Sequence, residues 1–258
     1  MNKNIKKIIN KKNKSKIVCL TAYSKNIASE VDKHADIVLV GDSLASVLYN
    51  FSTTRKVTLD NMISHAKSVR SGIKKSLMVV DMPYNTYKTN SQTLKNAKRI
   101  IIETKCDAVK LEGGKKIINQ IKFLIKNKIS VMGHLGILPQ TVKGKFKSKG
   151  RTVKEKNRLI NDAILLQKNG VFSIVLECVN TSTAKEITNR LKIPTIGIGA
   201  SVNCDGQVLV TDDLIGLNDT KIKFVKRFIN IKKYIKKGLR KFTLEVKSKK
   251  YQQKKHSY

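Results

Sequence analysis

The chain has 258 residues, and its 53 Lys and Arg against 18 Asp and Glu give a formal net charge of +35 at pH 7. Such a charge suggests a polyanionic partner, but hydrophobic residues make up 40% of the chain, so a disordered basic protein is excluded. The length fits one large single-core domain, including an α/β barrel of typically ~250 residues.

Eight short apolar runs alternate with segments of helix length along the chain. Strands are predicted over residues 16–21, 36–42, 77–81, 108–112, 129–134, 173–177, 195–199 and 207–212. Between them, apolar residues at helical spacing predict helices over residues 59–71, 91–104, 116–127, 157–170 and 183–191. Apolar runs of this kind suit parallel strands buried on both faces, so the pattern predicts a (β/α)8 TIM barrel. A doubly wound open sheet is the alternative, although no Gly-rich phosphate turn follows the first strand.

More than half of the excess positive charge lies at the two ends. Residues 1–16 carry seven Lys and no acid, and residues 215–258 carry fifteen basic and two acidic residues. We predict one barrel domain over residues 1–258, with a basic N-terminal segment (1–16) and a basic C-terminal helical segment and tail (219–258) packed by its apolar stripe. Because Lys, Ile and Asn share AT-rich codons, we interpret the charge mainly as a Lys-rich surface.

Composition also bears on partners and location. Only eight basic residues are Arg, Trp is absent and aromatic residues make up 5%, so no specific nucleic-acid partner is expected, only weak polyanion binding at low salt. No apolar run approaches the ~18–20 residues of a membrane span, and residues 1–16 lack a secretory signal. Four cysteines without a CxxC pair indicate reduced thiols, and a cytoplasmic location is predicted.

Ionisable side chains stand at the ends of five consecutive predicted strands, from the second to the sixth. They are Asp42, Asp81, Lys110 with Glu112, His134 and Glu177. A lone Asp after a strand is more often a helix cap, and a lone His is more often a core residue, but the ends of barrel strands meet at one mouth. Buried carboxylates need a compensating cation, and Mg²⁺ is the default for an all-oxygen site.

An ordered set of short segments at barrel-strand spacing adds a family resemblance. These segments are residues 20–23, 40–44, 57–58, 81–84, 109–114, 133–136, 139–140, 176–179, 196–200, 204–210 and 256–258. They include Asp81-Met82-Pro83-Tyr84 and Gly133-His134-Leu135-Gly136. Through this set the chain resembles the 3-methyl-2-oxobutanoate (ketopantoate) hydroxymethyltransferase family over nearly its whole length.

The resemblance implies a (β/α)8 barrel, a homodecamer and a role in pantothenate biosynthesis. The implied reaction transfers a hydroxymethyl group from 5,10-methylenetetrahydrofolate to 3-methyl-2-oxobutanoate through a Mg²⁺-stabilised enolate and gives 2-dehydropantoate. Another Mg²⁺-dependent oxoacid enzyme, of the isocitrate lyase and phosphoenolpyruvate mutase type, is the alternative. Such enzymes typically carry a Lys-Lys-Cys-Gly-His-type loop, which this sequence lacks.

The resemblance also implies roles residue by residue. The expected metal-associated carboxylates are Asp42, Asp81 and Glu112. The expected oxoacid-binding residues are Asp42, Ser43, Asp81, Lys110 and His134. The expected proton acceptor is Glu177.

Four features depart from the family pattern: Ala45, Lys56, Ser201 and the Lys-rich loop over residues 141–150. They bear on loop conformation and folate affinity. Where a departure replaces Gly at a positive φ, it costs stability, so we expect a less stable protein than its relatives.

Overall fold

The structure, a computed structural model, describes residues 2–141, 147–219 and 222–258. The chain falls into two compact units, one that runs to Val210 and one that starts at Thr211. That residues 1–258 act as one domain stays a prediction. Most of the Lys-rich loop, residues 142–146, lies outside the described residues.

In the described part of the chain, eight parallel strands close into a barrel in sequence order. The strands are β1 (Ile17–Thr21), β2 (Ile37–Val40), β3 (Leu77–Asp81), β4 (Ala108–Glu112), β5 (Val131–Gly136), β6 (Ser173–Glu177), β7 (Thr195–Ile198) and β8 (Gly206–Leu209). Each overlaps a predicted strand. The predicted (β/α)8 barrel is therefore confirmed.

Helices precede, separate and follow the strands. They are α1 (Lys3–Asn10), α2 (Lys25–Val31), α3 (Leu44–Val47), α4 (Leu59–Arg70), α5 (Asn90–Thr104), α6 (Ile118–Lys126), α7 (Val153–Lys168), α8 (Thr181–Arg190), α9 (Thr211–Leu214) and α10 (Ile231–Lys247). Thr58, Thr89 and Thr152 start α4, α5 and α7 by accepting a backbone N–H with the side-chain hydroxyl. The Thr152 cap explains why α7 begins four residues before its predicted start at Asn157.

Alternate residues of each strand face the barrel interior or the surrounding helices. Ile37 and Leu39 of β2 belong to the interior cluster, whereas Val38 and Val40 pack outward with the helices. The same period of two places Leu111 in the outer cluster, so its neighbours Lys110 and Glu112 face inward, as the spacing predicts. Inward-facing rows that begin apolar therefore end in ionisable groups at the carboxyl ends of the strands.

The basic N-terminal segment does more than cover the surface. Its helix α1 buries Ile5 and Ile8, which pack in the interior cluster with the strand residues. Two residues after the end of this helix, Lys12 Nζ forms a buried ion pair of 2.8 Å with Asp205 and donates to the Thr188 carbonyl at 2.7 Å. Two apolar side chains and one lysine of this Lys-rich segment thus belong to the barrel core.

The second unit differs from its prediction. Residues 222–230 form turns and bends rather than helix, because the backbone N–H groups of Phe228 and Ile231 donate to Leu214 and Ile215. Helix α10 covers only Ile231–Lys247, and its apolar side chains, including Leu239 and Phe242, are exposed. That the apolar stripe of this segment is packed stays a prediction.

Ala45 and Ser201, two of the departures from the family pattern, have ordinary backbone conformations. Neither residue has a positive φ among the described residues, and Ala45 lies buried in α3. Ser201 is buried, and its hydroxyl accepts the Asn203 N–H at 3.1 Å. The expected loss of stability required a side chain at a positive φ, and neither residue meets that condition.

Candidate active site

The predicted site residues converge at the carboxyl ends of the strands. Strand register aligns Asp81 with Lys110 and Glu112 with His134, and it aligns Gly136 with Glu177. Asp42 follows β2 in the loop before α3. The side chains of Asp81, Lys110, Glu112 and His134 are almost completely buried, whereas the Glu177 side chain is 19% exposed. Among these carboxylates, Glu177 is therefore the one most open to a bound molecule.

Asp42, Asp81 and Lys110 form one half of the site. The Asp42 backbone N–H donates to Asp81 Oδ2 at 3.1 Å, and Lys110 Nζ lies 3.1 Å from Asp81 Oδ1. That second distance is an ion-pair distance, yet Oδ1 is buried and accepts no hydrogen bond of regular geometry from the described residues. One oxygen of Asp81 is therefore held by a backbone N–H, and the other has Lys110 as its ion-pair partner.

Burial and mutual repulsion act on these two aspartates. Burial, with the charges of Asp81 and Glu112, raises the pKa of Asp42 to about 8. Burial also raises the pKa of Asp81, against the opposing effect of the Lys110 charge. Lys110 has a raised pKa because three neighbouring carboxylates outweigh its burial. Lys110 thus stays charged, and its single positive charge cannot neutralise all of the neighbouring carboxylates.

Glu112, His134 and Glu177 form the other half. His134 Nδ1 lies 3.4 Å from Glu112 Oε1, and its Nε2 lies 3.2 Å from Glu177 Oε2. Burial and the Lys110 charge lower the pKa of His134, but the two carboxylates outweigh them and raise it to about 9. For Glu112, burial favours the neutral acid, yet contacts with His134 and Lys110 hold its pKa below the usual range. The imidazole therefore lies between two carboxylates, and Lys110 Nζ is 3.3 Å from its Nδ1.

Ser43 lies beside the aspartates at the start of α3. Its hydroxyl is 2.7 Å from the Tyr23 hydroxyl, which follows β1. The preceding Gly41 allows this close packing, since a Cβ there would lie 2.9 Å from Ser43 Oγ and 3.6 Å from Asp81 Oδ2. The structure thus brings Ser43 to the same mouth as the carboxylates.

Gln140 belongs to the site, although no role is predicted for it from the sequence. Its amide Nε2 donates to Asp42 Oδ2 at 2.7 Å, and its backbone N–H donates to Glu112 Oε2 at 3.1 Å. The residue lies in the segment Pro139-Gln140, which contributes to the family resemblance. Its place beside Pro139, shortly after the predicted fifth strand, was the available signal.

The two aspartates suit a divalent cation. Within the described ranges, no group of three or more His, Cys, Asp and Glu side chains is arranged to hold a metal. Mg²⁺, however, commonly uses one or two carboxylates and fills its other positions with water or substrate. The buried Oδ1 of Asp81 is ion-paired with Lys110 but accepts no hydrogen bond of regular geometry from the residues that the structure describes. It lies in a site with excess carboxylate, so the donor set fits such an ion.

A closed barrel whose mouth holds a buried cluster of carboxylates, lysine and histidine defines an enzyme of the (β/α)8 class. Residues 2–254 match the family model described as ketopantoate hydroxymethyltransferase. The chain therefore belongs to the ketopantoate hydroxymethyltransferase family, a family of transferases. The resemblance stated from the sequence is confirmed.

Two relatives illustrate this membership. The 3-methyl-2-oxobutanoate hydroxymethyltransferase of Pelagibacter ubique is 65% identical over 258 residues, which cover 100% of both chains. The enzyme of the same name from Rhizobium etli is 46% identical over 246 residues, which cover 94% of this chain and 90% of the relative.

Solved structures share the fold at low sequence identity. Phosphoenolpyruvate phosphomutase from Streptomyces platensis subsp. rosaceus has a TM-score of 0.63 and 9% identity, and the match covers 95% of this chain and 87% of that chain. A phosphonopyruvate hydrolase complex with oxalate and Mg⁺⁺ has a TM-score of 0.61 and 6% identity, with 80% of each chain covered. At such identity these likenesses support the barrel fold alone.

Proposed function

We propose that this protein transfers a hydroxymethyl group from 5,10-methylenetetrahydrofolate to 3-methyl-2-oxobutanoate and so forms 2-dehydropantoate for pantothenate biosynthesis. The observation that carries the proposal is the cluster of Asp42, Asp81, Lys110, Glu112 and Glu177 at the barrel mouth of a member of this family. A 2-oxoacid matches such a cluster because its carboxylate and keto oxygen are ligands for a cation and acceptors for a lysine.

Asp42 and Asp81 are the proposed direct ligands of Mg²⁺. Each has one oxygen held by the protein, by the Gln140 amide and by the Asp42 N–H respectively. Glu112, the third predicted carboxylate, has one oxygen bonded to Gln140 N–H and the other near His134, so its proposed contribution is mainly its charge. When bound, the cation would act as a Lewis acid toward the oxoacid.

Ser43, Lys110 and His134 are the proposed residues that orient the oxoacid, together with the two aspartates. Lys110 is buried and charged, so its ammonium stabilises negative charge that develops on the keto oxygen. The Ser43 hydroxyl can donate to the substrate carboxylate while it keeps its contact with Tyr23. A buried, preorganised cation needs no solvent rearrangement as the charge forms.

Glu177 is the proposed base that takes the proton from C3 of the oxoacid. Its side chain is more exposed than the other carboxylates of the site, and His134 Nε2 lies 3.2 Å from Oε2. A base must lie within hydrogen-bond reach of the proton that it takes, and an exposed carboxylate at the barrel mouth can approach a bound oxoacid. The resulting C3 nucleophile attacks the one-carbon unit of the folate.

The location and the assembly belong to the same proposal. None of the helices in the described ranges has the length and apolarity that a membrane crossing requires. We place the enzyme in the cytoplasm as a homodecamer, the assembly that the family resemblance implies. Light scattering of the purified protein tests the assembly directly, since a decamer of 29.0 kDa chains is about ten times the monomer mass.

Formation of 2-dehydropantoate tests the function. Purified protein is incubated with 3-methyl-2-oxobutanoate, 5,10-methylenetetrahydrofolate and Mg²⁺, and the product is followed by mass spectrometry. We expect product that requires all three components and disappears with a chelator. Cleavage of isocitrate-type acids or phosphonopyruvate without 2-dehydropantoate would instead support the lyase and mutase alternative.

A further inference from the structure

The side-chain amide of Gln140 forms hydrogen bonds through both its nitrogen and its oxygen. Its side chain is buried, and Nε2 donates to Asp42 Oδ2 at 2.7 Å and to the Met82 carbonyl at 3.0 Å. Its Oε1 accepts a hydrogen bond from the Tyr87 hydroxyl. Because the Met82 carbonyl can only accept, the amide nitrogen must face it, and the orientation of the amide is fixed.

The backbone of Gln140 extends the same network. Its N–H donates to Glu112 Oε2 at 3.1 Å, and its carbonyl accepts from Arg55 Nε at 2.8 Å. Gln140 therefore contacts two carboxylates of the site and joins the loops that follow β2, β3 and β5. Loss of its amide would leave Asp42 Oδ2 and the Met82 carbonyl without this donor.

We propose that Gln140 is a positioning residue, which holds one oxygen of Asp42 so that the other oxygen stands beside Asp81 to receive the cation and the oxoacid. This inference rests on the proposed function, because it assigns the purpose of the network to that same site. Partners that orient metal-binding carboxylates typically change metal affinity by ~10–100-fold when they are removed. A residue with a purely structural role would change stability alone.

The chain offers a matched control for this distinction. Gln167 Oε1 accepts the backbone N–H groups of Lys192 at 2.5 Å and Ile193 at 3.2 Å, and neither residue belongs to the site. Gln167→Met and Gln140→Met both remove side-chain hydrogen bonds to the backbone at similar volume. Only Gln140→Met also removes a hydrogen bond to an aspartate of the site.

The test is a Mg²⁺ titration of the full-length protein by thermal unfolding, with and without saturating 3-methyl-2-oxobutanoate. We expect Gln140→Met to raise the Mg²⁺ midpoint at least about tenfold, and Gln167→Met to keep the midpoint of the parent while its melting temperature falls. Steady-state kinetics add a second readout, with a larger Mg²⁺ requirement for Gln140→Met and recovery of kcat at high Mg²⁺.

Two outcomes would overturn the proposal. A Gln140→Met midpoint equal to that of a responsive parent overturns the positioning role and leaves the proposed function intact. A parent that is not stabilised by Mg²⁺ in either condition contradicts the proposed function, and the positioning role falls with it. If Gln140→Met does not fold, Gln140→Asn carries the same expectation, because its amide is one methylene too short to reach Asp42 Oδ2 and it adds no charge to the site.

Discussion

His134 Nε2 lies 3.2 Å from Glu177 Oε2, while Nδ1 of the same ring lies 3.4 Å from Glu112 Oε1. The imidazole thus bridges the most exposed carboxylate of the site and a buried one. Neither carboxylate is neutralised by Lys110 alone, whose nearest carboxylate is that of Asp81. The protonation state of His134 therefore determines whether a positively charged group lies beside Glu177.

His134 should titrate above the usual range of an imidazole. We expect an imidazole that titrates near pH 9 in the metal-free protein, above the usual value of 6.5, because two carboxylates favour its charged form. NMR titration of the four histidines measures this, and His134→Gln identifies the resonance. A His134 that titrates at or below 6.5 contradicts the assigned charge.

The same shift predicts a pH dependence of stability. The folded pKa of His134 is raised, so its contribution is fully present below pH 6.5 and is lost as the pH rises through about 9. Urea unfolding at several pH values should therefore show a stability loss over that window. This loss should be smaller in His134→Gln; equal slopes in both proteins would be evidence against the linkage.

Asp81→Ala should weaken the response to Mg²⁺. It removes the buried oxygen that accepts no hydrogen bond from the described residues, which is the proposed cation ligand. We expect the Mg²⁺ midpoint for activity to rise by about tenfold or more. Asp60→Ala is the matched control, since Asp60 is a largely exposed aspartate paired with Arg99. A titration curve identical to that of the parent refutes the ligand assignment.

Ile5→Ala should destabilise the barrel, because Ile5 of α1 is fully buried in the interior cluster. The expected loss in free energy of unfolding is about 2–5 kcal/mol. Ile102→Ala, at a side chain that is 72% exposed, should cost less than about 1 kcal/mol. Chemical denaturation of both variants measures the difference; equal losses would show that α1 contributes little to the core.

The barrel and the convergence of its site followed from local patterns. Continuous apolar runs located the strands, and Lys110 and Glu112, two residues apart at the end of one strand, share a face because side chains alternate along a strand. The clustering of Asp42 with Asp81 followed from barrel geometry, because strand ends meet at one mouth. Such features are encoded within a few neighbouring residues.

Other features depend on contacts between distant residues. Gln140 reaches Asp42 across 98 positions of sequence, and no local pattern shows that contact. Lys12 resembled the surrounding surface lysines, yet it pairs with Asp205 across 193 positions. The apolar period of residues 222–229 predicted helix, but backbone bonds to Leu214 and Ile215 compete with helix formation there.

Deuterium exchange at C3 of 3-methyl-2-oxobutanoate measures whether Glu177 removes the proton from that carbon, as we propose. The full-length protein is incubated in D₂O with Mg²⁺ and the oxoacid, without folate, and exchange is followed by NMR. Glu177→Gln should bind Mg²⁺ and the oxoacid as the parent does but lose exchange by several orders of magnitude, whereas Glu103→Gln, at a distant ion pair, should exchange normally. Exchange by Glu177→Gln at the rate of the parent would contradict the assignment of Glu177 as the base.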